Sequence, residues 1–326
     1  MGWRPALGSA LAGVVGQPSL WLIGSVSFAL RGGLLLLLAS MVVLPTPIEL
    51  RMLLGSNLGS SGFRPEFLLL LTAAGLLLGV LVLVTQALVA YLELSAFERL
   101  LRGPDMPDEL SGRPFSPPDR RTRRWLLVTL FGLQLLVLGG VIVAAIPLIN
   151  GIATLAYQEV IRPSLGGTIY VRVFNGVRDE VFVLLAGLVL VELVSSVATR
   201  RLLLRGFGLT ARRPATGVLA SLAALTHALG GGLLRPLRRP LRTLATLVLV
   251  WAFSLAAVVP LSWGLKVAWS SVREAYLGPA WGSRPEELAG LAVVTLALCG
   301  IWVAAVLLGG FVSALRAALW SADALR

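Results

Sequence analysis

Two residues of opposite charge, Arg31 and Glu192, fall inside long apolar runs. A charge at membrane depth is costly enough to be a functional candidate by default. Arg31 precedes Pro45 by 14 residues and Glu192 follows Glu180 by 12. On helices rising 1.5 Å per residue these are ~21 Å and ~18 Å from the same end. Equal depth and opposite sign make Arg31 and Glu192 a candidate intramembrane pair. The competing reading has Arg31 snorkelling to the surface and Glu192 neutral or hydrogen-bonded. Gln86, Gln134 and Asn150 are isolated polar residues suited to hydrogen bonds between helices. Glu93, near the end of its apolar run, is expected to be solvated or bonded to a loop arginine.

Other chemistries lack their residues. No G-x-x-x-x-G-K-[ST] stretch cradles a nucleotide phosphate, and H-E-x-x-H is impossible with His227 as the one histidine. His227 has no acidic or thiol neighbour, so neither a metal site nor a Ser/His/Asp triad is expected. Cys299 stands alone and forms no internal disulfide. Paired carboxylates that could relay protons through a membrane are missing. We therefore expect no catalytic residues, no metal and no cofactor, and a protein that is not an enzyme.

The elements around these residues are membrane-like. Of 326 residues 57% are hydrophobic and 13% charged, where a soluble domain carries about a quarter charged residues. Mean hydropathy is +0.87. A bilayer core of about 30 Å needs ~20 apolar residues in a helix. Six segments qualify, roughly 22–45, 66–92, 125–148, 180–199, 243–265 and 287–312, so an all-α polytopic bundle of about six spans is expected. The N-terminus lacks the basic region and clean apolar stretch of a cleaved signal peptide, so the first helix is expected to stay in the mature protein.

Basic residues fix the expected orientation. Placing both termini and the Arg-rich loops 99–124 and 200–242 on one side puts 19 of the 28 basic residues there. Eight fall on the other side, and Arg31 lies within the first segment. The positive-inside rule then makes both termini cytoplasmic, in a multi-pass protein of the plasma (cell inner) membrane. The net charge of +12 is read as this topology signal rather than as a nucleic-acid footprint, because no motif-bearing basic element accompanies it. The bias to arginine over lysine, with abundant Ala, Leu and Gly, suggests a GC-rich bacterial genome.

One pattern occurs three times. An apolar run ends at Pro45, Pro147 and Pro260, and an Arg-X-Glu triplet then opens the next run: Arg64-Pro65-Glu66, Arg178-Asp179-Glu180 and Arg284-Pro285-Glu286. The prolines read as helix ends, although Pro147 and Pro260 are followed by apolar residues and a kink with a short continuation is equally open. The triplets read as helix starts on the outer side. Pro65 and Pro285 suit a first turn, Asp179 an N-cap, and Glu66, Glu180 and Glu286 the positive end of the helix dipole. Three independent caps would look similar, but the common position favours three helical-hairpin repeats at about 17–103, 121–206 and 239–320 in a single membrane domain, 1–326. Gly139-Gly140 and Gly309-Gly310 are read as close helix contacts.

A further apolar stretch, 214–234, is read as a cytoplasmic interfacial helix interrupted by Gly230-Gly231-Gly232, with a seventh span as the weaker alternative. Residues 4–15 look like a shorter version. With Gln17-Pro18-Ser19-Leu20-Trp21 and Arg239-Pro240-Leu241-Arg242, the layout resembles uncharacterised six-span bacterial membrane proteins, including relatives of the membrane portion of glycerophosphodiester phosphodiesterases. The resemblance points to a class and assigns no residue a role. The expected function is a non-enzymatic membrane component of a larger assembly. Its partners are the lipid bilayer, with anionic lipid at the cytoplasmic loops, and a protein partner or a second copy of the chain. The alternative is a transporter or permease subunit with a path near Arg31 and Glu192.

Overall fold

The computed structural model describes residues 3–42, 52, 58–59, 62–102, 118–161, 174–209, 218–277 and 285–325. Nine α-helices dominate them: α1 (Trp3–Val15), α2 (Pro18–Phe28), α3 (Leu34–Ala39), α4 (Pro65–Arg102), α5 (Arg120–Ile161), α6 (Arg178–Gly206), α7 (Val218–Arg238), α8 (Pro240–Leu277) and α9 (Pro285–Leu325). The two-residue strands β1 (Leu58–Gly59) and β2 (Gly62–Phe63) form a short antiparallel pair before α4. Six helices are long and apolar enough to cross a membrane; α2 and α3 together make the first.

The helices begin where local chemistry allows. Pro18, Pro65, Pro240 and Pro285 each open one, where a missing amide hydrogen costs no helical bond. The Arg64 carbonyl accepts the Leu68 amide at 3.1 Å, which starts α4, and Glu66 stands in its first turn. Asp179 and Glu180 do the same for α6, but the carbonyl receiving the first amide is that of Val177. Asp179 is therefore inside the first turn rather than the N-cap. Pro285 and Glu286 open α9; Arg284 lies outside the described residues, as does Pro45.

Two expectations are corrected. Pro147 and Pro260 do not end their helices: α5 continues to Ile161 and α8 to Leu277. A proline removes one backbone donor, and the apolar stretches on both sides retain every other reason to be helical. The loops are also shorter than expected. Residues 200–206 complete α6, and α7 runs unbroken through Gly230-Gly231-Gly232 to Arg238.

The chain divides into two compact units, with boundaries inside α4, α5 and α6. The first unit comprises Met1–Val42, Ala87–Leu130 and Ser196–Arg326. Here α9 packs against α1, α2 and α8. A core of Leu37, Leu265, Ala268, Leu298 and Ala305 is closed by Phe28, Leu261, Ile301 and Trp302. Helices α2 and α9 cross closely because Gly24 and Gly310 have no side chain to hold them apart. A Cβ at Gly310 would lie 2.6 Å from the Ser25 amide nitrogen and the Trp21 carbonyl oxygen, and one at Gly24 would strike the Gly310 carbonyl. Trp21 and Phe311 meet edge-to-face at 5.2 Å beside this crossing.

The second unit comprises Val43–Gln86 and Phe131–Ser195. Its α5 and α6 segments also approach through small residues: a Cβ at Gly187 would sit 2.7 Å from that of Ala144, and one at Gly140 3.2 Å from Val191. Arg178 lies over the Phe182 ring one turn on, 5.7 Å from its centre. Gly139 meets nothing within 4 Å, unlike its neighbour.

Candidate functional site: two buried arginine–carboxylate clusters

The chemistry of the first unit gathers at two carboxylates. The first is Glu93. Along α4 the buried residues are Val89, Ala90, Glu93, Leu94, Phe97 and Leu101, whose spacing marks one helix face. Glu93 stands in the middle of that face because α4 continues nine residues beyond it, to Arg102. This is why it is not solvated, as its place near the end of an apolar run had suggested.

Two guanidinium groups close on it. Arg31 Nη2 donates to Glu93 Oε1 at 2.5 Å, and Arg200 Nη2 donates to Oε2 at 2.5 Å. Arg200 comes from α6, and its side chain is only 5% exposed. Arg31 comes from a π-helical turn, Ala29–Gly33, joining α2 to α3. That turn depends on Gly32, whose φ of 91° and ψ of 5° break the helical path. A side chain would be strained there. Arg316 of α9 adds a third positive charge to the field at Glu93.

Each carboxylate oxygen is thus held by its own guanidinium, as a charge-assisted hydrogen bond favours. A carboxylate saturated in this way is a poor proton carrier and a good latch between α4, α6 and the kinked first span. Arg200 Nε and Nη1 are buried without a hydrogen-bond partner among the described residues. Its charge therefore relies on Glu93. Removing one member of such a buried set leaves an uncompensated charge, which costs about 3–5 kcal/mol.

The second carboxylate is Asp323, near the end of α9, with a side chain 3% exposed. Arg235 of α7 approaches its Oδ2 at 3.1 Å and Arg242 of α8 its Oδ1 at 2.9 Å. Neither approach has hydrogen-bond alignment, so both are ion pairs rather than directed bonds. Arg235 instead directs Nη2 at the Asp323 main-chain carbonyl. Burial pulls the Arg235 guanidinium below the usual arginine range, and Asp323 opposes that shift. This cluster ties the last turns of α9 to α7 and α8, beside the buried Trp320. A weaker, part-buried link joins Arg123 of α5 to Glu98 of α4 at 3.5 Å.

Of the residues singled out from sequence, Arg31 belongs to the first cluster. Glu192 is half-buried in the α6 segment of the second unit, and its main-chain carbonyl accepts the Ser195 hydroxyl at 3.2 Å. Arg31 pairs with Glu93, and Arg31 and Glu192 belong to different units. His227 and Cys299 are exposed, and Gln134 is buried in α5. Among the described residues no group of three His, Cys, Asp or Glu could hold a metal ion. Asp323 was missed in sequence, whereas Glu93 was read as solvated or bonded to a loop arginine, and Arg200, which bonds it, had been assigned to the loop 200–242.

Compared with protein-family models, characterised proteins and solved structures, the chain matches none.

Proposed function

We propose that this chain is a non-enzymatic multi-pass protein of a bacterial plasma membrane, with both termini cytoplasmic, serving as a membrane component of a larger assembly. The observation that carries the reading is the first half of α4. The most apolar stretch of that helix has no buried residue. Leu69, Leu70, Leu71 and Leu76 are all more than half exposed, and the first three, about 100° apart in turn, point to different sides of the helix. A helix apolar on every side needs an apolar surrounding, which lipid and the spans of a partner both supply.

The clusters support a structural role over a transport path. Each of the two carboxylates is engaged by two arginines, so these charges hold helices together rather than wait for a substrate. Photo-crosslinking groups placed singly at Leu69, Leu70, Leu71 and Leu76 in native membranes test the assembly. We expect protein adducts from one side of α4 and lipid adducts from the others. Lipid adducts from every position, with substrate-dependent flux in proteoliposomes, would overturn the reading in favour of a permease.

A further inference from the structure

We infer that Arg201, Arg235 and Arg238 form a binding site for the phosphate of an anionic phospholipid headgroup. The inference deepens the membrane reading above and rests on it. All three residues belong to the first unit. Helix α7 buries Ala224, Leu225, Ala228, Gly231 and Arg235, a set spaced for a single face. At Gly231 that face receives the Arg201 guanidinium of α6: a Cβ there would lie 2.5 Å from Arg201 Cζ and 3.2 Å from its Nε. The glycine makes room for the arginine.

Arg235 and Arg238 follow Gly231 by four and seven residues, so they continue the same face. Their charges both bear on Arg201. No carboxylate among the described residues pairs with Arg201 or Arg238. The nearby acid, Asp323, is shared by Arg235 and Arg242. Arg235 also keeps a buried Nε without a hydrogen-bond partner among the described residues. Two guanidinium groups with no carboxylate among the described residues, beside an Arg235 that shares its one carboxylate with Arg242, leave positive charge in excess, and the guanidinium fork fits phosphate oxygens.

The surroundings select the carrier of that phosphate. Leu233, Leu234, Leu241 and Leu244 are exposed beside the arginines, Leu241 at 85%. Apolar surface next to clustered arginine suits a molecule with a hydrocarbon chain below its phosphate, as at a membrane interface. A free anion or a nucleic acid would leave those leucines in water.

The test uses the full chain in nanodiscs of phosphatidylcholine containing phosphatidylglycerol, with retained lipid identified by native mass spectrometry. Wild type should retain phosphatidylglycerol preferentially. Arg201→Gln and Arg238→Gln should each weaken retention about fivefold, the share of one interfacial arginine. Gly231→Ala keeps every charge but displaces the Arg201 guanidinium, and should weaken retention as well. Melting temperatures in pure phosphatidylcholine discs identify variants that have simply unfolded, and Arg238→Gln, on the exposed end of α7, provides a variant outside the packed core. Equal losses from Arg102→Gln would reduce the effect to general surface charge and overturn the site. Displacement by inorganic phosphate alone would overturn the lipid assignment. Retention is read on purified protein, so failure here leaves the assembly standing, and failure of the cross-linking leaves this result standing.

Discussion

The two halves of α4 both carry a continuous apolar face but differ in charge and in surroundings. From Pro65 to Gln86 no residue is buried, whereas from Val89 onward one face is, with Glu93 at its centre. The second half is distinguished by a charge whose partners come from α6 and the kinked first span. Burial within the protein therefore follows the polar latch, and the more apolar half has no buried residue. In a membrane the hydrophobic effect gives little reason for one apolar helix to prefer another, so small-residue contacts and polar pairs decide what packs.

The largest expected effect breaks this contrast at its centre. Glu93→Gln should cost about 3–5 kcal/mol of stability, because Arg31 and Arg200 would lose their anion. Leu77→Ala, in the other half of α4, should change little. Thermal unfolding in detergent measures both, and equal effects would show that the latch is not what separates the halves. A second comparison sets glycines against each other. Gly310→Val must part α2 from α9 and should cost about 1–3 kcal/mol as an overpacked contact. Gly75→Val, with nothing within 4 Å, should leave the melting temperature unchanged and affect only contacts with other molecules.

The smallest effect lies at the start of α5. Asp119 accepts the Thr122 amide at 3.1 Å, and hydrogen bonds from Thr122 hold its carboxyl below the ordinary value of 3.8. A carboxyl whose pKa is lowered by folding stabilises the fold above its unfolded value and loses that contribution as pH falls through the folded value. Amide exchange at Arg121 and Thr122 should therefore speed up below pH 3.8 relative to the rate expected for the solvent, and Asp119→Asn should weaken that dependence. The cap is exposed, so global stability should barely move.

The spans were legible in sequence because length and apolar content act locally: each of the six expected segments lies within or overlaps a helix that qualifies. Helix starts were legible for the same reason, since Pro65 and Pro285 state their preference without tertiary help. Pro147 and Pro260 left an end and a short continuation equally open, because the local rule counts the lost hydrogen bond but cannot weigh it against the apolar sequence beyond it. The clusters were hidden for a different reason. Glu93 meets Arg31 and Arg200 at separations of 62 and 107 residues, and no local pattern encodes which faces of distant helices will meet. Sequence could show only that Glu93 and Asp323 were acids in basic, apolar company.

Those separations also set an order in time. A growing chain contains Glu93 and Arg31 long before Arg200, which follows 107 residues later. Asp323 is made 88 residues after Arg235. Until each late member arrives, an earlier helix carries a charge whose final counter-charge has not been synthesised. Membrane insertion of the first spans must therefore tolerate incomplete neutralisation, and chains cut short before α6 or before the last turns of α9 carry ionic groups that lack a final partner.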